Sequence, residues 1–313
     1  MGGLVFALIL LIVVGVVTGG ERFVSVGNII TILSLAAVTG VVSIGMTFVI
    51  TSGGIDLSVG SVLGLASIWA STRSTQYMAE DYGWWVIVVT ALAVGLVAGL
   101  VNGALIAYGR VPAFIATLAM LTAARGLAEI IAGRRTQIIT DVEPFFDVFQ
   151  SRPLGLPMIV WIFVVVAAAG WFLLNRTTFG RRTVAVGGNP EASRLAGIKI
   201  KRHTLYLYGL AGLTAGIGAV IILARTTAGS STNGTLLELD AIAAVVVGGT
   251  LLAGGRGTIT GTILGVLIFS TLTNVFVINN IDSSVQAIAK GAIIVAAVLV
   301  QQWFASRERT STT

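Results

Sequence analysis

Polar residues in this chain occur mainly as short punctuation between long apolar runs. Ten runs can be drawn, at 3–18, 27–51, 57–71, 84–108, 112–131, 156–174, 205–224, 241–252, 258–277 and 285–303. A membrane-crossing helix needs about 20 consecutive, mostly apolar residues. The pattern therefore predicts an all-α polytopic membrane protein of about ten transmembrane segments, forming one membrane domain over residues 1–313. The third and eighth runs are short, and each abuts a glycine-rich junction. Such interrupted segments in matching positions are the signature of discontinuous transporter helices. Residues 1–17 have the apolar core of a secretory signal but no basic flank, and the next run follows closely, so they are read as a retained first span.

The first junction, Thr51-Ser-Gly-Gly-Ile-Asp-Leu-Ser-Val-Gly60, places a single acid between apolar blocks. An ionised Asp at the bilayer centre costs roughly 2.5–3.5 kcal/mol, so Asp56 requires a boundary, a cavity or a partner. It reads either as the cap of a helix starting near Leu57 or as a substrate contact. The second junction overlays the first at an offset of 201 residues: Gly53, Gly54, Gly60 and Gly64 fall on Gly254, Gly255, Gly261 and Gly265, and Asp56 falls on Gly257. This is an internal repeat whose copies run in the same direction, with the acid confined to one copy. Glycines four apart recur at Gly95, Gly99 and Gly103, at Gly212 and Gly216, and at Gly257, Gly261 and Gly265. These rows suit close helix packing within one subunit, with a dimer face as the alternative.

Composition reinforces the membrane reading and narrows the chemistry. Only 10% of residues are charged, against roughly 25% in a soluble domain, and the mean hydropathy is +0.97. No large soluble domain fits between the runs. Cysteine is absent and His203 is the single histidine, which excludes disulfides, thiolate or histidine-cluster metal sites, and Cys or His nucleophiles. The net charge of +6 resolves into topology. With the N-terminus inside, the inner loops carry Arg110, Arg176, Arg181, Arg182, Arg194, Lys199, Lys201, Arg202, Arg256, Arg307 and Arg309, whereas the outer ones hold Arg22, Arg73, Arg134, Arg135 and Arg152. The bias places both termini in the cytoplasm. Glu21, Glu80, Asp81, Asp141, Glu143, Asp147 and Asp282 fall outside. The basic balance is thus a membrane signal, and nucleic acid is not an expected partner.

Two loops exceed simple turns. The outer one, 132–155, contains Phe145, Phe146 and Phe149 and reads as a short interfacial helix or a docking surface. The inner one, 175–203, contains a helix start: Asn189 as N-cap, Pro190 at the first helical position and Glu191 in the first turn. Ala192 and Arg194 lie within this helix, predicted over 190–196, and Gly197 supplies its stop. So short a helix is marginal alone, which suggests a docked partner or a lipid-headgroup surface. No phosphate-binding loop, nucleophile elbow or zinc-protease helix occurs, so an enzyme is not expected. Within the spans, Arg125 and Glu129 are spaced to pair on one helix, and Lys290 is placed to snorkel. Thr47, Asp56, Ser58, Asn102, Asn233 and Asn274 are the candidates for a polar translocation path or its gate. Their mostly uncharged lining suits a neutral hydroxylated solute better than an ion.

GMTFVITSGGIDLSVGSVLGL (45–65), GRVPAFIATLAML (109–121), GGNPEASRLAGI (187–198) and ELDAIAAVVVGGTLLAGGRGTITGTILG (238–265) together resemble the permease subunits of ribose-type sugar ABC importers. The resemblance covers nearly the whole chain in order. It implies a ten-helix permease in a bacterial inner membrane, without cofactor or metal of its own. The expected partners are a second permease copy, a tandem-cassette ATPase and a periplasmic sugar-binding protein. It also implies that residues 189–197 dock in a groove of the ATPase. Such permeases usually begin with a polar tail, whereas Met1-Gly-Gly here runs straight into the first span. The alternatives are an ion-coupled secondary transporter and a related ABC permease for branched-chain amino acids or nucleosides.

Overall fold

The computed structural model describes residues 1–140 and 142–310, the backbone alone at 294, 297, 298 and 300–310. Asp141 and the side chains of Arg307 and Arg309, all assigned a side above, lie outside the described residues. The chain opens with α1 (Gly2–Gly19), a single turn α2 (Glu21–Val24) and α3 (Val26–Thr51), then passes the first junction into α4 (Val59–Ala70). Next come α5 (Arg73–Tyr82), α6 (Trp85–Ala107) and α7 (Ala113–Ala132). A short strand β1 (Gln137–Ile138) and α8 (Glu143–Phe149) lead to α9 (Met158–Arg176). Then follow α10 (Thr178–Gly188), α11 (Pro190–Leu195) and α12 (Ile200–Thr226). Strand β2 (Ala228–Gly229), α13 (Leu237–Val247), α14 (Ile259–Ile278) and α15 (Ser283–Thr310) complete the order.

Each of the ten apolar runs is helical. Among the described residues seven helices are long and apolar enough to cross a membrane: α1, α3, α6, α7, α9, α12 and α14. α4 and α13, with 12 and 11 residues, reach only about 18 and 16 Å, well short of the roughly 30 Å hydrocarbon core. The chain alternates between two ends of the bundle. One end, here the junction end, carries both glycine junctions, the 108–112 turn and the α9–α12 connection. The far end carries the remaining connections, where β1 and β2 pair antiparallel.

The helices centre on α3 and α12, whose inner faces supply the fully buried Met46, Phe48, Leu207 and Ile221. α1 lies at the edge and exposes Phe6, Ile9, Leu10 and Val17. Polar contacts tether it to the bundle at the far end, where Asn279 donates from Nδ2 to Thr18 Oγ1 at 3.0 Å. The α6 and α12 glycine rows meet along one seam inside the chain. An added Cβ at Gly95 would fall 2.3 Å from the Gly212 carbonyl oxygen, and one at Gly99 would fall 2.2 Å from that of Tyr208. The rows therefore serve packing within one subunit.

α8 turns its aromatic side into the chain. Phe145 is fully buried, and Phe149 meets Trp84 edge-on with ring centroids 5.7 Å apart. The outer loop thus spends its Phe residues on internal packing. Besides the single turn α2, two helices were not anticipated. α5 carries too many polar residues to register as an apolar run, and α10 follows α9 after only Thr177, whose hydroxyl accepts from the Gly180 amide.

Candidate functional site

The two glycine junctions, about 200 residues apart in sequence, pack against each other. Gly255 N–H donates to the Thr51 carbonyl at 2.8 Å. Gly53 and Gly254 both adopt left-handed backbone, φ 82° and 83°, a region open to glycine at little cost. A Cβ on Gly254 would fall 2.8 Å from Gly53 N. Gly187 of α10 enters the same contact, close enough to the Thr51 carbonyl to exclude any side chain. Both helices that follow the junctions run away from this end, as parallel copies require. The order of long and short helices is reversed, however: α3 precedes its junction and α4 follows, whereas α13 precedes and α14 follows.

Asp56 is buried in the first junction, where its Oδ1 accepts from Ser58 N at 2.8 Å and from Ser58 Oγ at 2.6 Å. Asn102 on α6 extends the chain, donating from Nδ2 to Ser58 Oγ at 2.8 Å. The helix itself starts at Val59 with Ser58 as N-cap. This corrects the sequence expectation of Asp56 as direct cap of a helix starting near Leu57. The acid sits two residues earlier and fixes an Asx turn that presents Ser58 to the helix, the local bonding short acids favour. Ile55 is held from a third side, its carbonyl accepting from the Tyr208 hydroxyl at 3.1 Å.

The other polar candidates lie in separate interhelical contacts. Thr47 on α3 meets Thr262 on α14, their hydroxyls 2.8 Å apart. Asn274 exchanges two hydrogen bonds with Asn28, at 2.7 and 3.1 Å. Asn233 donates to Ser67 Oγ on α4 at 3.1 Å. Thr47, Asp56, Ser58 and Asn102 are each at most 1% exposed, and Asn274 3%. The structure thus brings Asp56, Ser58 and Asn102 together and leaves Thr47, Asn233 and Asn274 apart.

Asn233 belongs to an irregular segment, 230–236, that runs from β2 along α4 to the start of α13. The α4 glycines admit it, since a Cβ at Gly60 would fall 2.3 Å from the Gly234 carbonyl oxygen and one at Gly64 2.8 Å from that of Asn233. Irregular backbone at membrane depth survives only where it is buried in protein or lines a water-filled cavity, so that protein or water satisfies its polar groups. Arg125 does so here: its Nη1 donates to the Ser231 carbonyl and, at 3.0 Å, to that of Asn233. The expected Arg125–Glu129 pair survives as an electrostatic interaction without a hydrogen bond. The guanidinium bridges α7 to the 230–236 segment instead of bonding one turn along its own helix. Sequence reading missed it because i,i+4 spacing supplied a local partner.

Lys290 is likewise corrected from the snorkelling expectation. Its Nζ donates to both carboxylate oxygens of Asp240 on α13, each at 3.0 Å. The pair is partly exposed, at 21% and 29%, beside a cavity of about 90 Å³ that Thr39, Ser270 and Thr273 also line.

At the junction end α11 stands out from the bundle. Asn189 Oδ1 accepts from Ala192 N at 2.9 Å, and Pro190 occupies the first position. The helix ends one residue before the expected Ala196. Gly197, at φ 84°, donates to the Arg194 carbonyl, and Ile198 N donates to that of Ser193, both at 3.0 Å. These are the two bonds of a Schellman stop. Glu191 and Arg194 pair with each other on the outer face, 71% and 64% exposed, beside Leu195 at 77%. That hydrogen bond raises the Arg194 pKa further. Next to α11 opens a cavity of about 430 Å³ whose lining includes Arg182, Lys199 and Arg202.

Residues 28–298 match a family model described as branched-chain amino acid transport system / permease component. The chain is 40% identical over 296 residues to the ribose import permease protein RbsC of Escherichia coli (strain K12), covering 93% of this chain and 91% of that protein. It is 38% identical over 303 residues to the protein of the same name from Bacillus subtilis (strain 168), covering 94% and 90%. The L-arabinose transport system permease protein AraH of Escherichia coli (strain K12) is 36% identical over 274 residues, covering 88% and 82%. No solved structure gives a significant match.

Proposed function

The chain belongs to the branched-chain amino acid transport system permease family, and on that premise we propose that it is the membrane-spanning permease subunit of an ATP-binding-cassette importer for a neutral monosaccharide. The ribose and arabinose permeases among its relatives favour a pentose or similar sugar over an amino acid. In this reading about ten segments cross a bacterial inner membrane, with the junction end and both termini in the cytoplasm. ATP hydrolysis belongs to a separate tandem-cassette subunit. A periplasmic sugar-binding protein delivers the solute at the far end, and a second permease copy completes the path.

The observation that carries the proposal is α11. A six-residue helix is too short to be stable through its own hydrogen bonds, yet this one is capped at both ends and presents Glu191, Arg194 and Leu195 outward. That is the build of a rigid peg for a partner's groove. Asn189, Pro190, Ala192 and Gly197 hold its shape, and Glu191 and Arg194 meet the ATPase. The Asp56–Ser58–Asn102 cluster and the Thr47, Asn233 and Asn274 contacts act as gating elements: they join helices that must shift when the peg moves. The test is reconstitution in proteoliposomes with the ATPase and the sugar-binding protein. Glu191→Ala with Arg194→Ala should reduce sugar-stimulated ATP hydrolysis and uptake while the permease still inserts. Wild-type uptake and ATPase co-purification by the double variant would sink the assignment.

A further inference from the structure

The polar residues singled out by sequence are nearly all sealed inside helix contacts, so they leave open where a hydrophilic solute passes. One polar notch faces outward at mid-depth. Thr39 lies 12 residues along α3 from its junction end and Ser270 a comparable distance along α14, which puts both about 18 Å into the bundle. Thr273 stands one turn further on, and the Asp240–Lys290 pair closes the notch from α13 and α15. Three hydroxyl groups, a carboxylate and an ammonium thus converge among otherwise apolar spans.

Lipid is a costly environment for this face. A charged side chain near the bilayer centre is costly and is retained where it faces a water-filled cavity or the bundle interior. Both members of this pair are only partly covered, and the cavity of about 90 Å³ beside them has room for a few water molecules. It is too small to enclose a sugar, so it is a wall feature. The bonding capacity matches a polyol, because a carboxylate accepts from adjacent hydroxyls, an ammonium donates to them, Thr39 and Ser270 can do both, and Thr273, whose Oγ1 donates to the Phe269 carbonyl at 2.9 Å, can accept.

We propose that the notch formed by Thr39, Asp240, Ser270, Thr273 and Lys290 lies on the wall of the translocation path and hydrogen-bonds the passing hydroxylated solute. The inference rests on the sugar-permease reading for its solute, but not for its exposure to water. Two measurements separate these parts. The chain has no cysteine, so single-cysteine variants in the assembled importer, with labelling read on the permease band alone, report on access to a charged, membrane-impermeant methanethiosulfonate. Thr39→Cys and Thr273→Cys should react, and Thr47→Cys and Asn274→Cys should not. Absence of reaction at both 39 and 273 overturns the proposal, since the notch is then covered by lipid or by another protein surface.

The second measurement is uptake of D-ribose and L-arabinose, with ATP hydrolysis stimulated by loaded binding protein read in parallel. Lys290→Gln should lower uptake about tenfold, the loss of roughly one charge-assisted hydrogen bond, and Thr273→Val about threefold, the loss of a neutral one roughly half as strong, with stimulation retained in both. The exchange Asp240→Lys with Lys290→Asp keeps an ion pair but inverts its geometry toward solute, and uptake should stay low. Full recovery by the exchange overturns solute contact, leaving the pair a helix-to-helix clasp. A wild-type importer inert toward both sugars counts against the sugar reading instead, and the labelling pattern still decides whether the notch is on the path.

Discussion

Removing the Arg125 guanidinium tests whether membrane-depth irregular backbone depends on this one side chain. Arg125→Met keeps the aliphatic bulk and deletes the two hydrogen bonds to the Ser231 and Asn233 carbonyls. Hydrogen bonds to a charged group are worth about 1.5–3 kcal/mol each in soluble proteins. Interhelical bonds within membranes average nearer 0.6 kcal/mol, because an inserted but unpacked chain finds other partners. The loss should therefore fall at about 2–4 kcal/mol. Glu238 and Glu129, whose carboxylates interact electrostatically with Arg125, lose that counter-charge in the same step. Thermal unfolding of purified protein in detergent should show a midpoint lower by about 5 °C or more, scaling from soluble domains. Arg125→Lys should recover only part of the loss, because a single ammonium lacks the planar fork. The control is Glu129→Gln, which removes an electrostatic contact but no hydrogen bond to Arg125 and should cost well under the loss seen in Arg125→Met. A Glu129→Gln loss equal to that of Arg125→Met, or a stable Arg125→Met, would refute the bridge and restore the local pair.

At the first junction, Asp56→Asn should be nearly neutral in stability, because the amide oxygen can still accept from Ser58, whereas Asp56→Ala should cost about 1–3 kcal/mol. Equal loss of transport in both with normal unfolding midpoints would show a need for the charge itself. Along the α6–α12 seam, Gly99→Val should prevent the helices from closing, read as loss of monodisperse protein on size exclusion, while Gly126→Val, with no atom near an added Cβ, should be tolerated. For α11, Asn189→Ala should weaken the cap by about 0.5–2 kcal/mol and Gly197→Ala should strain a residue held at φ 84°. Each should lower ATPase stimulation more than it lowers the unfolding midpoint of the isolated permease, and the reverse order would detach α11 from coupling.

The apolar runs exposed the helices because membrane crossing sets both length and composition, and the boundaries of α3, α6, α7 and α14 fall within a few residues of the runs. Local motifs were legible too. Asn189-Pro190-Glu191 and Gly197 cap α11 through bonds that span only a few residues, so sequence alone contains them. What escaped was long-range. Nothing near Arg125 announces Ser231, and nothing near Lys290 announces Asp240, so both cations were given the nearest plausible role. Polar residues inside spans were read as path lining because hydrophilic type does not distinguish a side chain facing water from one clasping a neighbouring helix. Thr47 with Thr262, and Asn274 with Asn28, are the second kind.

The hydrogen bond from Gly255 to the Thr51 carbonyl has a consequence for biogenesis. α3 leaves the ribosome long before residue 255 is made, so for most of synthesis the Thr51 carbonyl and the flat glycine surface beside it lack the partner they have in the finished molecule. A nascent chain halted before residue 255 carries that uncovered surface at the end of its central helix. The contact that joins the junctions therefore forms only after the second junction has been delivered.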